Sequence, residues 1–145
     1  MPNGLLSYTI MKGRQKTEDY IRILSSRALK IIELNLGKDF IFQQDNCPIH
    51  KSALAKKFFK DSKVTLLDWP PYSPDLNLIE NVWAILSQEI YGSGTIKNLK
   101  ELEYKLKLAI TNFNETKGSV TENLYKSIPA RLCEVLQCHG ERIKY

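Results

Sequence analysis

The chain has 145 residues, 43% of them hydrophobic and 26% charged, which suits one domain able to bury about 68–70% of its unfolded surface. That composition is the one of an ordinary globular protein and does not indicate disorder, and no apolar run approaches the roughly 20 residues a spanning helix needs, so no membrane partner is expected. Lysine and arginine number 21 against 16 acids, a net charge of +5 that suits a polyanionic partner without naming one; the three cysteines, an odd number with no secretory leader, argue for reduced thiols in the cytosol or nucleus.

Residues 5–10 read as a short strand, followed by a polar, basic turn over residues 12–16. Thr17 is placed to cap a helix over residues 18–36, whose apolar positions Tyr20, Ile21, Leu24, Ala28, Ile31, Ile32 and Leu36 recur at steps of three and four before Gly37 stops it. Residues 40–42 form a compact apolar run leading into Gln43, Gln44 and Asp45, the pattern of a buried strand with a polar C-terminal end. That end is where α/β folds keep their sites. A second helix is expected over residues 51–60 and another strand over residues 64–67.

Pro70, Pro71 and Pro74 make residues 69–76 a stiff, irregular connection, so a helix can start only beyond it. Asn77 is a good N-cap, and Ile79, Val82, Trp83, Leu86 and Ile90 give that helix one apolar stripe ending at Gly92. From Thr95 the pattern is helical, with Ile96, Leu99, Leu102, Leu106, Ile110 and Phe113 on one face. Ser119 and Glu122 have capping-box spacing for a short helix, and Pro129 is placed to open a last one. No internal repeat or low-complexity segment is present.

Two carboxylates stand out. Asp45 ends a buried strand, Glu80 lies in the first turn of a helix behind a rigid loop, and 34 residues lie between them. Acids so placed can hold Mg²⁺, which prefers oxygen ligands, and a pair of such ions can activate a hydroxyl and stabilise the leaving oxygen of a phosphodiester. Two acids alone are an incomplete two-metal site. Taken singly, each also has a structural role open to it: Asp45 with Asn46 as a strand-end turn, and Glu80 with Asn77 as a capping box.

The surroundings of the two acids carry a resemblance. Phe42-Gln43-Gln44-Asp45-Asn46-Cys47-Pro48-Ile49-His50 resembles the second-acid motif of Tc/mariner-type DDE transposases. Asp68-Trp69-Pro70-Pro71-Tyr72-Ser73-Pro74-Asp75-Leu76-Asn77-Leu78-Ile79-Glu80-Asn81-Val82-Trp83 resembles their third-acid motif, at the spacing of the branch that ends in Glu. Similarity extends to residues 17–24 and 129–145, so essentially the whole chain is covered.

The resemblance implies an α/β fold of the RNase H-like kind over residues 1–92, with a helical C-terminal extension over residues 93–145. It implies Asp45 and Glu80 as the second and third metal acids, Mg²⁺ or Mn²⁺ as cofactor, DNA as partner together with another transposase subunit, and the nucleus as location. In this family the first catalytic Asp lies far upstream of the second acid, and only 44 residues precede Asp45 here. The expected protein is thus an N-terminally truncated catalytic core lacking its first strands. Its fold should be marginal, because unpaired strand edges cost free energy, and strand cleavage by the chain alone should be weak or absent. The alternative reading is a non-catalytic DNA-binding or protein-interaction module derived from a transposase. An inert gene remnant is a third.

Two further features carry less. Cys47 and His50 have metal-like spacing, and Cys133, Cys138 and His139 could complete a zinc site only if the fold brought them near. The lysines at 97, 100, 105 and 107 could track a DNA backbone, but the interleaved Glu101 and Glu103 favour a solvated helix face.

Overall fold

Glu18 and Asp19 put negative charge into the first turn of helix α1 (Thr17–Ile23), and the Asp19 carboxylate accepts the Lys16 backbone N–H at 3.2 Å. Thr17 is therefore the first helical residue and Lys16 the cap, one position earlier than expected. The computed structural model describes residues 4, 5, 7–92, 94–116 and 118–144. Contacts divide the chain into two units, Leu6–Tyr72 on one side and Ser73–Tyr145 with Met1–Leu5 on the other.

In the first unit the long helix expected over residues 18–36 contains a wide turn. Leu24–Ala28 is π-helical, and Leu29, which opens α2 (Leu29–Leu36), donates its N–H to the Leu24 carbonyl five residues back. Residues five apart in a regular α-helix lie about 140° apart around the axis, whereas a π turn brings them close to one face. Leu24 and Leu29 are accordingly both buried, although a strict three-and-four period puts Ala28 and not Leu29 in the apolar stripe. Gly37 ends the helix at φ 79°, a conformation that a side chain would strain.

Strand β1 (Ile41–Phe42) pairs in parallel with β2 (Thr65–Leu66), Ile41 opposite Thr65 and Phe42 opposite Leu66. The parallel direction requires a crossover, supplied by α3 (Pro48–Lys51) and α4 (Ala53–Asp61). The single helix expected over residues 51–60 is broken at Ser52, whose extended backbone and hydroxyl, accepting the Ala55 N–H at 3.1 Å, start α4 afresh. Phe59, 2% exposed, anchors this unit: its ring centroid lies 5.5 Å from those of Phe42 and Phe58, and it packs with Leu24 and Leu29.

The second unit is helical: α5 (Leu78–Gly92), α6 (Leu99–Thr116) and α7 (Gly118–Gln137). Val82, Leu86 and Ile90 of α5 meet Ala109, Ile110 and Phe113 of α6 in its core. Trp83, expected on the α5 stripe, is 46% exposed, since it stands one residue, about 100° of rotation, away from Val82. Of residues 5–10, expected as a strand, Leu6 lies outside the described residues and the others join no ladder. Leu5 shows why at its own position: the Asn114 side-chain amide takes both its N–H (2.9 Å) and its C=O (3.1 Å), the groups a neighbouring strand would use.

Pro129 lies inside α7 and does not open a helix, and Ser119 and Glu122 are helical and not a cap with its partner. Proline in a helix interior costs about 3 kcal/mol. Here side chains on either side hold the helix through it: the Ser127 hydroxyl donates to the Leu124 carbonyl at 2.6 Å and accepts from Arg131 Nε at 2.9 Å. Glu122 pairs with Lys126 at 2.7 Å, one turn on. Among the described residues no helix is long and apolar enough to cross a membrane.

Candidate active site

Asp45 stands three residues beyond β1, at the C-terminal end of a parallel strand, and over half of its side chain is exposed. Its Oδ1 accepts the Cys47 backbone N–H at 3.1 Å and lies 2.5 Å from His50 Nδ1. The strand-end turn considered from the sequence is thus present, and it holds the carboxylate in a fixed place while leaving it accessible. Around it lies a cavity of about 350 Å³ whose walls include Gln44, Asn46, Lys51, Lys56 and Trp69.

Four contacts that no local pattern announces build this corner. Asn46 Nδ2 donates to the Trp69 carbonyl at 2.9 Å, which ties the segment carrying Asp45 to the start of the proline-rich segment 23 residues on. Tyr20 of α1 stacks its ring on His50 with centroids 4.3 Å apart, and its hydroxyl donates to Gln44 Oε1. Burial, reinforced by the Asp45 charge, pushes the Tyr20 hydroxyl well above the ordinary phenol range, so it serves as a permanent donor. Thr17 Oγ1 reaches the Ile49 carbonyl at 3.5 Å. Tyr20 was legible only as an apolar helix position, and nothing in its neighbours marks it as a wall of the site.

Glu80 is the third residue of α5, exposed, with its N–H donated to the Asn77 carbonyl at 3.0 Å. It faces a concavity of about 730 Å³ shared with Pro74, Asp75, Arg142 and Lys144. The loop before α5 is stapled by later residues of its own unit. Arg131, 1% exposed, donates from Nη1 to the Asp75 carbonyl at 2.6 Å, and the Asp75 carboxylate accepts the Ile143 N–H at 3.0 Å. Arg131 escaped the sequence reading because a buried arginine inside an amphipathic helix looks like any other surface cation.

Asp45 belongs to the unit Leu6–Tyr72 and Glu80 to the unit with Ser73–Tyr145, so each acid is described in its own surroundings. Both present accessible carboxylate oxygens, the donor type that a hard divalent cation selects. Cys133 and Cys138, raised as partners for Cys47 and His50, are exposed free thiols of the second unit. The group that does meet Cys47 and His50 is Asp45.

Known proteins resemble this chain over most of its length. Residues 3–103 match the family described as DDE superfamily endonuclease. The chain is 35% identical over 144 residues to the transposable element Tc3 transposase of Caenorhabditis elegans, covering 97% of this chain and 42% of that one. It is 39% identical over 114 residues to the Tc1 transposase of the same organism, 77% of this chain and 39% of the relative. With the Tcb1 transposase of Caenorhabditis briggsae identity is 34% over 126 residues, 87% and 45% of the two chains. The chain belongs to the DDE superfamily endonucleases, as a Tc/mariner-type transposase catalytic region.

Membership carries an RNase H-like fold, with which the parallel pair β1–β2 and its helices are compatible, and a general use of divalent metals. The chain spans about two fifths of the length of the curated relatives it matches.

Proposed function

We propose that Asp45 and Glu80 are the second and third metal-holding acids of a transposase active site, that Mg²⁺ is the ion with Mn²⁺ able to replace it, and that the whole protein cuts and joins DNA in the nucleus during transposition. The observation that carries this is Asp45: an accessible carboxylate at a strand end, held by a backbone N–H, in a cavity that also presents Lys51 and Lys56. When bound, the ions would polarise the phosphodiester and lower the pKa of the attacking water or hydroxyl.

The chain's own residues then have separate tasks. Asp45 and Glu80 supply the oxygen ligands, Lys51 and Lys56 attract the phosphate backbone, and Asn46 and Arg131 keep the two acid-bearing segments in shape through Trp69 and Asp75. Residues 1–92 form the catalytic part and residues 93–145 its helical extension. Asp45 and Glu80 are the two acids this chain supplies to that site. Another transposase subunit is the expected protein partner.

Mn²⁺ binding followed by electron paramagnetic resonance tests the assignment. Asp45→Asn and Glu80→Gln should each weaken binding, and affinity unchanged in both variants would remove the acids from the site. The chain alone should show weak or no strand cleavage. Robust Mg²⁺-dependent nicking abolished by Asp45→Ala would show instead that two acids suffice. Salt-dependent DNA binding with no metal response at all would favour a non-catalytic module.

A further inference from the structure

The turn after β1 collects three chemically different donors. A carboxylate oxygen of Asp45, Sγ of Cys47 and a ring nitrogen of His50 all lie within 4.8 Å of one another. The backbone causes this. Asp45 accepts the Cys47 N–H, Cys47 precedes α3 with Pro48 at its first position, and the His50 N–H closes back on the Cys47 carbonyl at 2.9 Å. Residues 45, 47 and 50 are thereby wound around one point.

Mg²⁺ takes oxygen ligands, and neither a thiolate nor an imidazole adds to its hold. Thiolate and imidazole select ions of the zinc class, for which a carboxylate is also an acceptable ligand. We propose that Asp45, Cys47 and His50 form a three-ligand site for a borderline-soft divalent cation such as Zn²⁺, with water in the fourth position.

The geometry asks for small adjustments. Bonds of about 2.0–2.3 Å to a tetrahedral ion set its donors roughly 3.3–3.7 Å apart. The three donors, now within 4.8 Å of one another, must settle at those separations, and the Asp45 oxygen must back away from His50 Nδ1, now at 2.5 Å. The Asp45 carboxylate, over half exposed, keeps its bond to the Cys47 N–H and has open space on its other side, while Tyr20 stacked at 4.3 Å keeps the imidazole plane in place. Lys51 and Lys56 line the same cavity and oppose a cation, so the negative charges of thiolate and carboxylate together are what make the site neutral once filled.

The consequence rests on the function proposed above: a zinc-class ion held by Asp45 withdraws that carboxylate from the Mg²⁺ site and acts as an inhibitor. The ion and its hard competitor share one ligand and differ in the other two.

Cobalt(II) titration of the reduced 145-residue chain reads the site directly, because a thiolate ligand gives Co²⁺ a near-ultraviolet charge-transfer band and tetrahedral geometry gives intense visible bands. The bands should appear in the wild type, vanish on adding Zn²⁺, survive in the double variant Cys133→Ser, Cys138→Ser, and be lost in the conservative variant Cys47→Ser. His50→Ala should weaken Co²⁺ binding by more than about tenfold, the loss that even outer partners of a metal site cause. A weak octahedral spectrum in the wild type, or a charge-transfer band that persists in Cys47→Ser, overturns the proposal. Mn²⁺ binding, retained in Cys47→Ser but weakened in Asp45→Asn, reports the hard-ion reading separately, so the failure of either is distinguishable from the failure of the other.

Discussion

Replacing Arg131 with methionine removes the guanidinium while keeping much of the side-chain volume. Arg131 is 1% exposed, donates to the Asp75 carbonyl at 2.6 Å and to the Ser127 hydroxyl at 2.9 Å, and so joins α7 to the loop that leads into α5. Hydrogen bonds from a charged donor contribute about 1.5–3 kcal/mol each, which sets a gross loss of roughly 3–6 kcal/mol for the two. Against this, methionine no longer carries the desolvation penalty of a buried cation, several kcal/mol before compensation. The Asp75 carbonyl is left without this partner, and the net destabilisation should be about 2–4 kcal/mol. Arg131→Ala should cost more, because it also opens a cavity.

Urea unfolding followed by tryptophan fluorescence measures this in a Trp69→Phe background, where Trp83 on α5 is the only tryptophan left in the chain. A lower midpoint with an unchanged slope is the expected result. A shift equivalent to less than about 0.5 kcal/mol, the level of an ordinary surface substitution, would show that the buried guanidinium does not hold the loop.

Phe59→Ala should destabilise the first unit by about 3–5 kcal/mol, since Phe59 is 2% exposed among Phe42, Phe58, Leu24 and Leu29; a loss under 1 kcal/mol by denaturant titration would contradict that core. Lys51→Ala with Lys56→Ala should lower the log-log salt slope of DNA binding by about 1.8, two phosphates' worth, and an unchanged slope would remove both lysines from the DNA path. The hydrogen bond from Lys126, with its charge, holds the Glu122 carboxyl below the ordinary range. Its small contribution is thus present above the unfolded pKa and fades as pH falls through the lower folded one. Carbon-13 titration of Glu122 should move back up in Lys126→Ala, and no movement would mean the pair does not persist in solution.

Several features of this protein are decided by local sequence. The helix start near residue 17, with Asp19 reaching back to the Lys16 N–H, and the stop at Gly37 follow from capping chemistry and glycine, and the two acid motifs 34 residues apart identify the family before any coordinate is known. Such signals are written in neighbours a few residues apart, where hydrogen bonding and side-chain period act directly. Tertiary structure decided the rest. The π turn that buries Leu29 depends on a change of helical period, and the amide of Asn114 that takes up the backbone of Leu5 on a partner distant in the chain. The site shows the same division: Asp45 could be picked from its motif, but Tyr20 against His50, Asn46 on Trp69 and Arg131 on Asp75 span 23 to 56 residues. Periodicity carries no information over such distances, because these pairs meet only where the chain folds back on itself to bury the cores around Phe59 and Phe113.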